Sequence, residues 1–131
     1  MVVPVFNVED NVMPFYADVR HVIDPPASRF DFEFVFTDNH STDRTPELLR
    51  ELARTDPRIR AYRLSRNFGY QRSILTAYLK CSGDGGIQLD CDLQDPTDLI
   101  VQFLDRWTKF FSPESGPYTT VVRRMRASLQ A

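Results

Sequence analysis

The sequence predicts an α/β protein with a mostly parallel sheet and helices on both of its faces. Short runs of β-branched and aromatic residues alternate with longer segments of helical period, and proline, glycine or capping residues separate the two kinds of segment. With 131 residues the chain has the size of one domain. We assign residues 1–111 to its core and expect a loop, a fifth strand and a basic tail in residues 112–131.

Strands are predicted in this core wherever a short apolar run ends next to polar residues. They cover residues 2–6, 34–37, 59–64 and 87–89, with a further strand at residues 118–122. Because a helical segment follows each of the core strands, we expect the strands to run parallel.

Helices are predicted after each of the four core strands. The first covers about residues 11–23, with Pro14 in its first turn. The second begins with Thr45 as N-cap, and the fourth begins with Asp95 as cap, followed by a proline. Apolar residues at helical spacing predict the buried face of the third helix, and they are Ile74, Leu75, Tyr78 and Leu79.

Charge and composition exclude several classes of function. The 16 basic and 18 acidic residues give a net charge of −2 without a concentrated basic surface, so nucleic acid is not an expected partner. The basic tail cluster is interpreted as a solvated surface; its members are Arg123, Arg124 and Arg126. The two cysteines suit a reducing compartment, and no apolar run is long enough to span a bilayer. We therefore expect a soluble, cytoplasmic segment.

Polar residues that a core would not hold follow each of the four core strands. In an open parallel sheet the carboxyl ends of adjacent strands meet in one crevice, where α/β proteins bind their ligands. The loops are therefore expected to face a single ligand. Their polar members are Asn7, Glu9, Asp38, Asn39, Ser41, Ser65, Arg66, Asn67, Asp90 and Asp92.

Asp90 and Asp92 are the candidate ligands of a divalent cation. Residues two apart on an extended segment point to the same side, so both carboxylates can reach one ion while Cys91 turns away. Carboxylates are hard ligands suited to Mg²⁺ or Mn²⁺, and Gln94 adds an oxygen nearby. Such an ion would neutralise the charge on a departing nucleoside diphosphate. Taken alone, the tripeptide Asp90-Cys91-Asp92 is more readily explained as a capped turn before a helix.

Other residues near the predicted crevice are interpreted as structural. His40 is a candidate general base beside Asp38, but a single histidine in a turn is more often structural. Ser41 and Ser65 are interpreted as turn or cap hydroxyls. The sequence contains no phosphate-binding glycine loop, which argues against P-loop nucleotidases and dinucleotide-dependent dehydrogenases.

Four motifs, in order, resemble those of the family 2 glycosyltransferases of the GT-A fold. The first reads VVPVFNVEDNV where the family has VIPVYNEEENI, and the second reads FTDNHSTDRT where the family has VDDGSTDGT. The third, RLSRNFGYQRSILTAYLKCSGD, resembles the family's RNFG-type helix, and the fourth reads LDCDLQDPTDLI where the family has MDADLQDPPELI. The likeness covers about residues 1–110 and is greatest to the branch with dolichyl-phosphate mannose synthase and bacterial polyprenyl-phosphate sugar transferases. It implies a Rossmann-like, nucleotide-sugar-binding GT-A half that is truncated before the acceptor half.

The resemblance implies one set of residues for the nucleotide and another for the cation. The nucleotide set is Pro4, Phe6, Asn7, Glu9, Asp38, Asn39 and Arg66. The cation set is Asp90, Asp92 and Gln94. Within the first set, Asp38 would hydrogen-bond the base, the Phe6 ring would border it, and Arg66 would lie near the ribose or pyrophosphate. The two aspartates of the second set would hold Mg²⁺ or Mn²⁺ against the diphosphate and so act as the catalytic residues.

The implied reaction is displacement at the anomeric carbon with inversion, from a nucleotide-sugar donor to a polyprenyl-phosphate acceptor. That acceptor is already anionic, so no strong general base is required. The full-length protein would then work at the inner face of the membrane. A different interpretation is a truncated, non-catalytic GT-A fragment that at most binds nucleotide. A nucleotidyltransferase is a further alternative, but its glycine- and basic-rich first loop does not follow Phe6.

Three departures from the family pattern bear on the site. Val8 stands where the family has its first glutamate, so the role of that carboxylate falls to Glu9 or is lost. Asn39 and His40 replace the common Asp-Gly pair, which leaves one carboxylate in that loop. The acceptor-side motifs of the family do not occur in these 131 residues, so the sequence predicts neither the donor sugar nor the activity of the segment alone.

Overall fold

The computed structural model describes residues 1–24, 30–94 and 96–111 of the chain. They fall into two compact units, residues 1–97 and a second unit that starts at Asp98. The first unit contains the sheet and the loops at its carboxyl edge. The predicted fifth strand, the basic tail and the Asp95 cap lie outside the described residues.

Parallel strands form the sheet, in the order β1-β2-β3. They are β1 (Val2–Val5), β2 (Phe34–Asp38) and β3 (Ile59–Arg63). The predicted α/β class is confirmed, and each of these strands ends within one residue of its predicted end. In the register, Val5 lies beside Asp38 and Asp38 lies beside Arg63. The loops that follow the strands therefore start together, at what we call the carboxyl edge.

The fourth predicted strand, residues 87–89, is present as a single parallel bridge between Gln88 and Val2. Val2 N donates to Ile87 O at 2.8 Å, and Leu89 N donates to Val2 O at 3.0 Å. The segment thus lies beside β1, on the side away from β2. The prediction was right about its position and wrong about a full strand, because only these three residues pair before the chain turns at Cys91.

Helices α1 (Glu9–Ile23) and α2 (Thr45–Thr55) pack together, and both contact the sheet. From α1, the Phe15 ring meets Phe36 of β2 edge-on, with ring centroids 6.4 Å apart. α1 begins two residues earlier than predicted, so Pro14 lies inside the helix and not in its first turn. The earlier start has a cause in tertiary contacts, because Thr45 Oγ1 accepts from Val8 N and Asp43 Oδ2 accepts from Glu9 N, the backbone N–H groups at the start of α1.

The predicted N-cap of α2 was wrong. Thr45 is the first residue of the helix, and its hydroxyl accepts a hydrogen bond from Val8 N at 2.9 Å. That hydroxyl therefore serves the start of α1 instead of its own helix. A free N–H group at the start of α2 is instead bound by Asp43, whose Oδ1 accepts from Thr45 N at 3.0 Å.

Helix α3 (Tyr70–Lys80) packs against β1 and β2. It covers the face opposite α1, because its partner Thr37 alternates along β2 with the phenylalanines that meet α1. The predicted buried stripe was wrong: the helix buries Ser73 and Ala77, whereas Leu75 is 57% exposed. Ser73 Oγ donates to Thr37 Oγ1 at 2.9 Å, and such small side chains let the helix approach the sheet closely. Tyr78 and Leu79 are exposed as well, and Ile74 is half-buried.

Helix α4 (Leu99–Phe111) belongs to the second unit. It begins three residues after the predicted start at Pro96, because Thr97 and Asp98 form a turn. Asp98 O then accepts from Gln102 N at 3.4 Å. Among the described residues, no helix combines the length and apolar character that crossing a membrane requires.

Candidate functional site

Asp38 ends β2 with a carboxylate that is almost completely buried. The residue is 2% exposed, and its Oδ1 accepts a hydrogen bond from Ser41 N at 2.9 Å. Its Oδ2 has no hydrogen-bond partner among the described residues. A buried carboxylate oxygen without a donor is energetically costly, so it marks a position where a ligand N–H would be accepted.

Arg63 ends β3 next to Asp38. Its Nε lies 3.5 Å from Asp38 Oδ2, and its Nη2 donates to Ser41 O at 2.8 Å. One loop therefore holds both the carboxylate and the guanidinium. Sequence reasoning missed Arg63, because an arginine at the end of an edge strand is usually a solvated residue.

We call the loops after β1, β2 and β3 the first, second and third loops. The first and second loops are joined by reciprocal hydrogen bonds. Asn7 N donates to Ser41 Oγ at 2.9 Å, and Asn7 Oδ1 accepts from Thr42 N at 2.8 Å. Glu9 Oε2 accepts from Arg44 N at 2.9 Å. Asn7 adopts a left-handed backbone conformation with φ of 51°, which asparagine tolerates better than most residues. Both predicted nucleotide ligands thus hold the second loop in place.

Asn39 joins the loop after β2 to the loop after β3. Its Nδ2 donates to Asn67 Oδ1 at 2.8 Å, and its Oδ1 accepts from Phe68 N at 2.9 Å. Asn67 Oδ1 also accepts from Gly69 N at 2.9 Å. Both polar ends of the Asn39 amide are therefore occupied within the protein.

Phe6 and Arg66 offer exposed groups in the loops at the carboxyl edge. Phe6 directly follows β1 and is 45% exposed, whereas Pro4 is buried within the strand beside Thr37. Arg66 is exposed, and its guanidinium carbon lies 4.8 Å from the centroid of the Phe68 ring. An exposed aromatic ring can border a base, and a guanidinium can bind a phosphate.

Asp90 is held by a tyrosine from the start of α3. Tyr70 Oη donates to Asp90 Oδ1 at 2.5 Å and accepts from Gln88 Nε2 at 2.9 Å. Burial and the hydrogen bond to Asp90 raise the pKa of Tyr70 to about 12, and the charges of Asp90 and Asp92 act in the same direction. The phenol therefore stays protonated at neutral pH and is the donor in this pair. The charges of both carboxylates thus act on the same hydroxyl.

Asp92 lies in an exposed turn. Its Oδ1 accepts from Gln94 N at 3.1 Å, and Leu93 between them has a left-handed φ of 62°. Cys91 is buried, and burial together with the charges of Asp92 and Asp90 raises the pKa of its thiol to about 12. The thiol is therefore neutral and points away from solvent, while Asp92 is open to it.

The Asp90 and Asp92 pair is suited to a magnesium or manganese ion in the type and number of its oxygens. Each carboxylate has its Oδ1 engaged, and among the described residues neither Oδ2 accepts a hydrogen bond. The described residues contain no cluster of three or more His, Cys, Asp or Glu side chains that could hold a metal. Mg²⁺ commonly takes one or two protein carboxylates and completes its shell with water and phosphate oxygens. The pair therefore fits an ion that arrives together with a diphosphate.

A cavity of about 260 Å³ adjoins Asp90 within the first unit. Phe15 and Asp18 of α1 line one part of it, and Leu93 and Gln94 line another. Its volume is slightly below the range typical of small-ligand pockets, roughly 300–1,000 Å³. Asp90 thus contacts a concave surface as well as Tyr70.

The comparison with known families decides the membership of this chain. The model of glycosyl transferase family 2 matches residues 1–112. The chain belongs to glycosyl transferase family 2. The resemblance carried by the four motifs is thereby confirmed.

Curated relatives of the family 2 chain include three proteins from bacteria and a phage. An uncharacterized glycosyltransferase, YkcC of Bacillus subtilis, is 36% identical over 82% of this chain and 32% of its own length. The bactoprenol glucosyl transferase of Shigella phage SfV is 35% identical over 82% of this chain and 34% of its own. The undecaprenyl-phosphate 4-deoxy-4-formamido-L-arabinose transferase of Edwardsiella ictaluri is 33% identical over 80% of this chain and 32% of its own. The chain spans about a third of the length of these relatives.

Solved structures with the same fold include TarS of S. aureus. Residues 1–349 of TarS superpose with a TM-score of 0.65 at 19% identity, covering 82% of this chain and 31% of that one. The same part of TarS in complex with UDP superposes with a TM-score of 0.61 at 21% identity, covering 80% and 31%. The predicted GT-A fold class is confirmed by this likeness.

One departure from the family 2 pattern has a structural explanation, and another has none. Asn39 stands where the family has aspartate, and its amide both donates and accepts, which a carboxylate cannot do. Val8 stands where the family has glutamate, and its contact with Thr45 is made by the backbone N–H, so nothing in the structure explains the valine side chain. Glu9, the remaining carboxylate, binds the backbone of Arg44.

His40 stands where the family pattern has glycine and adopts a left-handed backbone, with φ of 68°. Its Nδ1 lies 3.1 Å from Leu64 O, so the ring ties the second loop to the end of β3. This contact favours the structural interpretation of His40 over a general base. Ser41 is likewise a loop residue, since its hydroxyl accepts from Asn7 N.

Proposed function

We propose that this chain forms the donor-binding half of an inverting, metal-dependent glycosyltransferase. The donor is a nucleoside diphosphate sugar, bound in the crevice that the loops after β1, β2, β3 and residues 87–89 share. The acceptor is a polyprenyl phosphate, bound by the full-length protein.

The buried Oδ2 of Asp38 is the observation that carries this proposal. It is ion-paired with Arg63 but accepts no hydrogen bond, and the imino N–H of a uracil or guanine ring is a donor that a carboxylate accepts well. Ser41 N already fixes the other oxygen, so the orientation of the carboxylate is set before a ligand binds. Phe6, which follows the strand residue paired with Asp38, supplies an exposed ring, and Arg66 supplies a positive charge for the ribose or diphosphate side.

Asp90 and Asp92 are the proposed cation ligands, with Gln94 as a third oxygen donor. Tyr70 and the Gln94 backbone each occupy one carboxylate oxygen and leave the other for the ion. A bound Mg²⁺ or Mn²⁺ supplies charge neutralisation of the departing diphosphate. The part of the protein itself is to hold the nucleotide by its base and diphosphate, so that the anomeric carbon faces the acceptor.

The polyprenyl-phosphate acceptor is supported by the names of two relatives, which specify bactoprenol and undecaprenyl phosphate. A phosphate oxygen is already a nucleophile, which suits a crevice whose one histidine among the described residues, His40, is bound to a backbone carbonyl. The full-length protein would then work where such lipids present their phosphates, at the cytoplasmic face of the membrane.

A chain that binds nucleotide without turning it over is the second candidate. The lengths of the chain and its relatives favour this second candidate for the segment alone, because the chain spans about a third of the relatives' length. Binding and turnover must therefore be measured separately.

Calorimetric titration with UDP and with GDP, each with Mn²⁺ or with EDTA, tests the proposal. We expect one of the two nucleotides to bind at least about tenfold more tightly with Mn²⁺, because an ion held by the two aspartates would neutralise the diphosphate charge. Asp92→Asn should abolish that gain. Asp31→Asn, the same change at an exposed position ahead of β2, should leave it intact.

The outcomes separate the candidates. Mn²⁺-dependent binding that is lost in Asp92→Asn supports the donor site, and release of nucleoside diphosphate from a sugar nucleotide with added polyprenyl phosphate supports a complete enzyme. Binding without release supports the non-catalytic alternative. Weak, metal-independent binding that is equal in both variants contradicts the proposal.

A further inference from the structure

Tyr70 occupies a position between two loops of the carboxyl edge. It is the first residue of α3, and its ring reaches the segment after residues 87–89. Its hydroxyl accepts from the Gln88 amide and donates to Asp90 Oδ1, so both of its hydrogen-bonding directions are used. A hydroxyl fixed on both sides can hold a carboxylate in one orientation.

The backbone of Tyr70 is itself held from the second loop. Gly69, just before it, has φ of 87° and donates its N–H to Asn67 Oδ1. Asn67 in turn accepts from the Asn39 amide. Hydrogen bonds therefore run from the residue next to Asp38 to the residue next to Tyr70, and from Tyr70 to Asp90.

We propose that Tyr70 is a positioning residue for the cation site, holding Asp90 by Oδ1 so that Oδ2 is left for the ion. This inference rests on the proposed function, since it assumes that Asp90 is a cation ligand. An aspartate that rotates freely must be ordered when the ion binds, and that ordering costs conformational entropy. The hydrogen bond from Tyr70 orders the carboxylate beforehand, as outer-shell partners of metal ligands generally do.

Tyr70→Phe in the 131-residue chain removes the hydroxyl and keeps the ring. Mn²⁺ binding is measured in the presence of the nucleotide that binds best, from the loss of the electron paramagnetic resonance signal of free Mn²⁺. We expect the affinity for Mn²⁺ to fall about tenfold. Binding of the same nucleotide in EDTA should not change, because the base and ribose contacts do not involve Tyr70. Tyr78→Phe is the matched control, since Tyr78 lies exposed on the same helix and no partner of its hydroxyl is seen in the described chain.

Gln88→Leu provides a second variant if Tyr70→Phe does not fold. It removes the amide that fixes the hydroxyl but keeps both Tyr70 and Asp90, and it should weaken Mn²⁺ binding in the same direction by a smaller factor. Unchanged or tighter Mn²⁺ binding in Tyr70→Phe, or an equal loss with Mn²⁺ and with EDTA, overturns the inference alone. Absence of Mn²⁺-dependent nucleotide binding in the unsubstituted protein overturns the proposed function, and this inference with it.

Discussion

Arg63 Nε lies 3.5 Å from Asp38 Oδ2, yet no hydrogen bond joins them. The guanidinium instead donates to Ser41 O, and the carboxylate oxygen stays buried without a donor. This ion pair with an exposed guanidinium compensates the buried charge only in part, which destabilises the free protein and favours a ligand that brings an N–H. A substitution that removes the charge of Asp38 should therefore change the stability of the protein and its affinity for nucleotide in opposite directions.

Asp38→Asn tests that opposition. The amide oxygen can still accept from Ser41 N, and removal of the buried charge offsets the loss of the ion pair with the exposed Arg63, so the melting temperature should stay the same or rise. Nucleotide affinity should fall roughly tenfold to a hundredfold, because a hydrogen bond to a charged group is worth roughly 1.5–3 kcal/mol. Calorimetry and thermal melts on the same samples measure both quantities, with Asp31→Asn as the control. A variant that loses stability and keeps its affinity would show that Asp38 is structural.

Asn39→Asp restores the residue of the family pattern and should destabilise this protein. The carboxylate cannot donate to Asn67 Oδ1, so the bond between the second and third loops is lost at a cost of about 1–2 kcal/mol. Urea unfolding at neutral pH measures the change in the free energy of unfolding. Asn11→Asp is the matched control, and in the first turn of α1 the new charge should be neutral or slightly stabilising. Equal stability of Asn39→Asp and the unsubstituted protein would mean that the two loops are not coupled through this amide.

Glu33 should make stability depend on pH at the amino edge of the sheet. Burial alone would raise its pKa, but hydrogen bonds from Ser82 and Gly83 and the charge of Arg60 lower that pKa from 4.5 to about 2. A lowered pKa means that the contribution to stability is complete above pH 4.5 and is lost as the pH falls towards 2. Glu33→Gln should therefore lower the free energy of unfolding by about 2 kcal/mol at neutral pH.

The difference between Glu33→Gln and the unsubstituted protein should shrink as the pH falls from 4.5 to about 2. Urea unfolding over that pH range provides the measurement. Glu51→Gln, at an exposed position of α2, should show no difference at any pH. A gap between Glu33→Gln and the unsubstituted protein that stays constant down to the lowest pH would rule out this role for the Glu33 charge.

The sequence was sufficient to predict the strands and the loops that matter, because period and turn chemistry mark them locally. Predictions from the sequence were wrong where a contact between distant residues determines which side chains are buried or which group caps a helix. Ser73 faces the sheet because it bonds Thr37, and no pattern of apolar residues on α3 indicates that. Thr45 looks like a cap for its own helix, but its hydroxyl is used by Val8, 37 residues away in sequence.

The residues of the candidate site divide in the same way, into those that the sequence identifies and those that it does not. The polar residues that follow strands were identifiable, since the carboxyl edge of a parallel sheet gathers them. Arg63 and Tyr70 were not, because their relevance lies in partners on other elements. For Tyr70 a weak signal existed, since the first residue of a helix after a loop glycine faces the same edge as the loop.

Line broadening by Mn²⁺ in the amide spectrum of the nucleotide-bound protein tests most directly whether Asp38 and the two aspartates serve one ligand. β2 spans about 15 Å, so the two ends of the sheet lie at clearly different distances from an ion at its carboxyl edge. With UDP or GDP present, signals of residues 90–94 and 38–41 should broaden together, while those of Ser82 and Gly83, which bind Glu33 at the opposite end, should keep more of their intensity. Broadening that leaves residues 38–41 untouched, or that spreads evenly over the chain, would contradict a shared site.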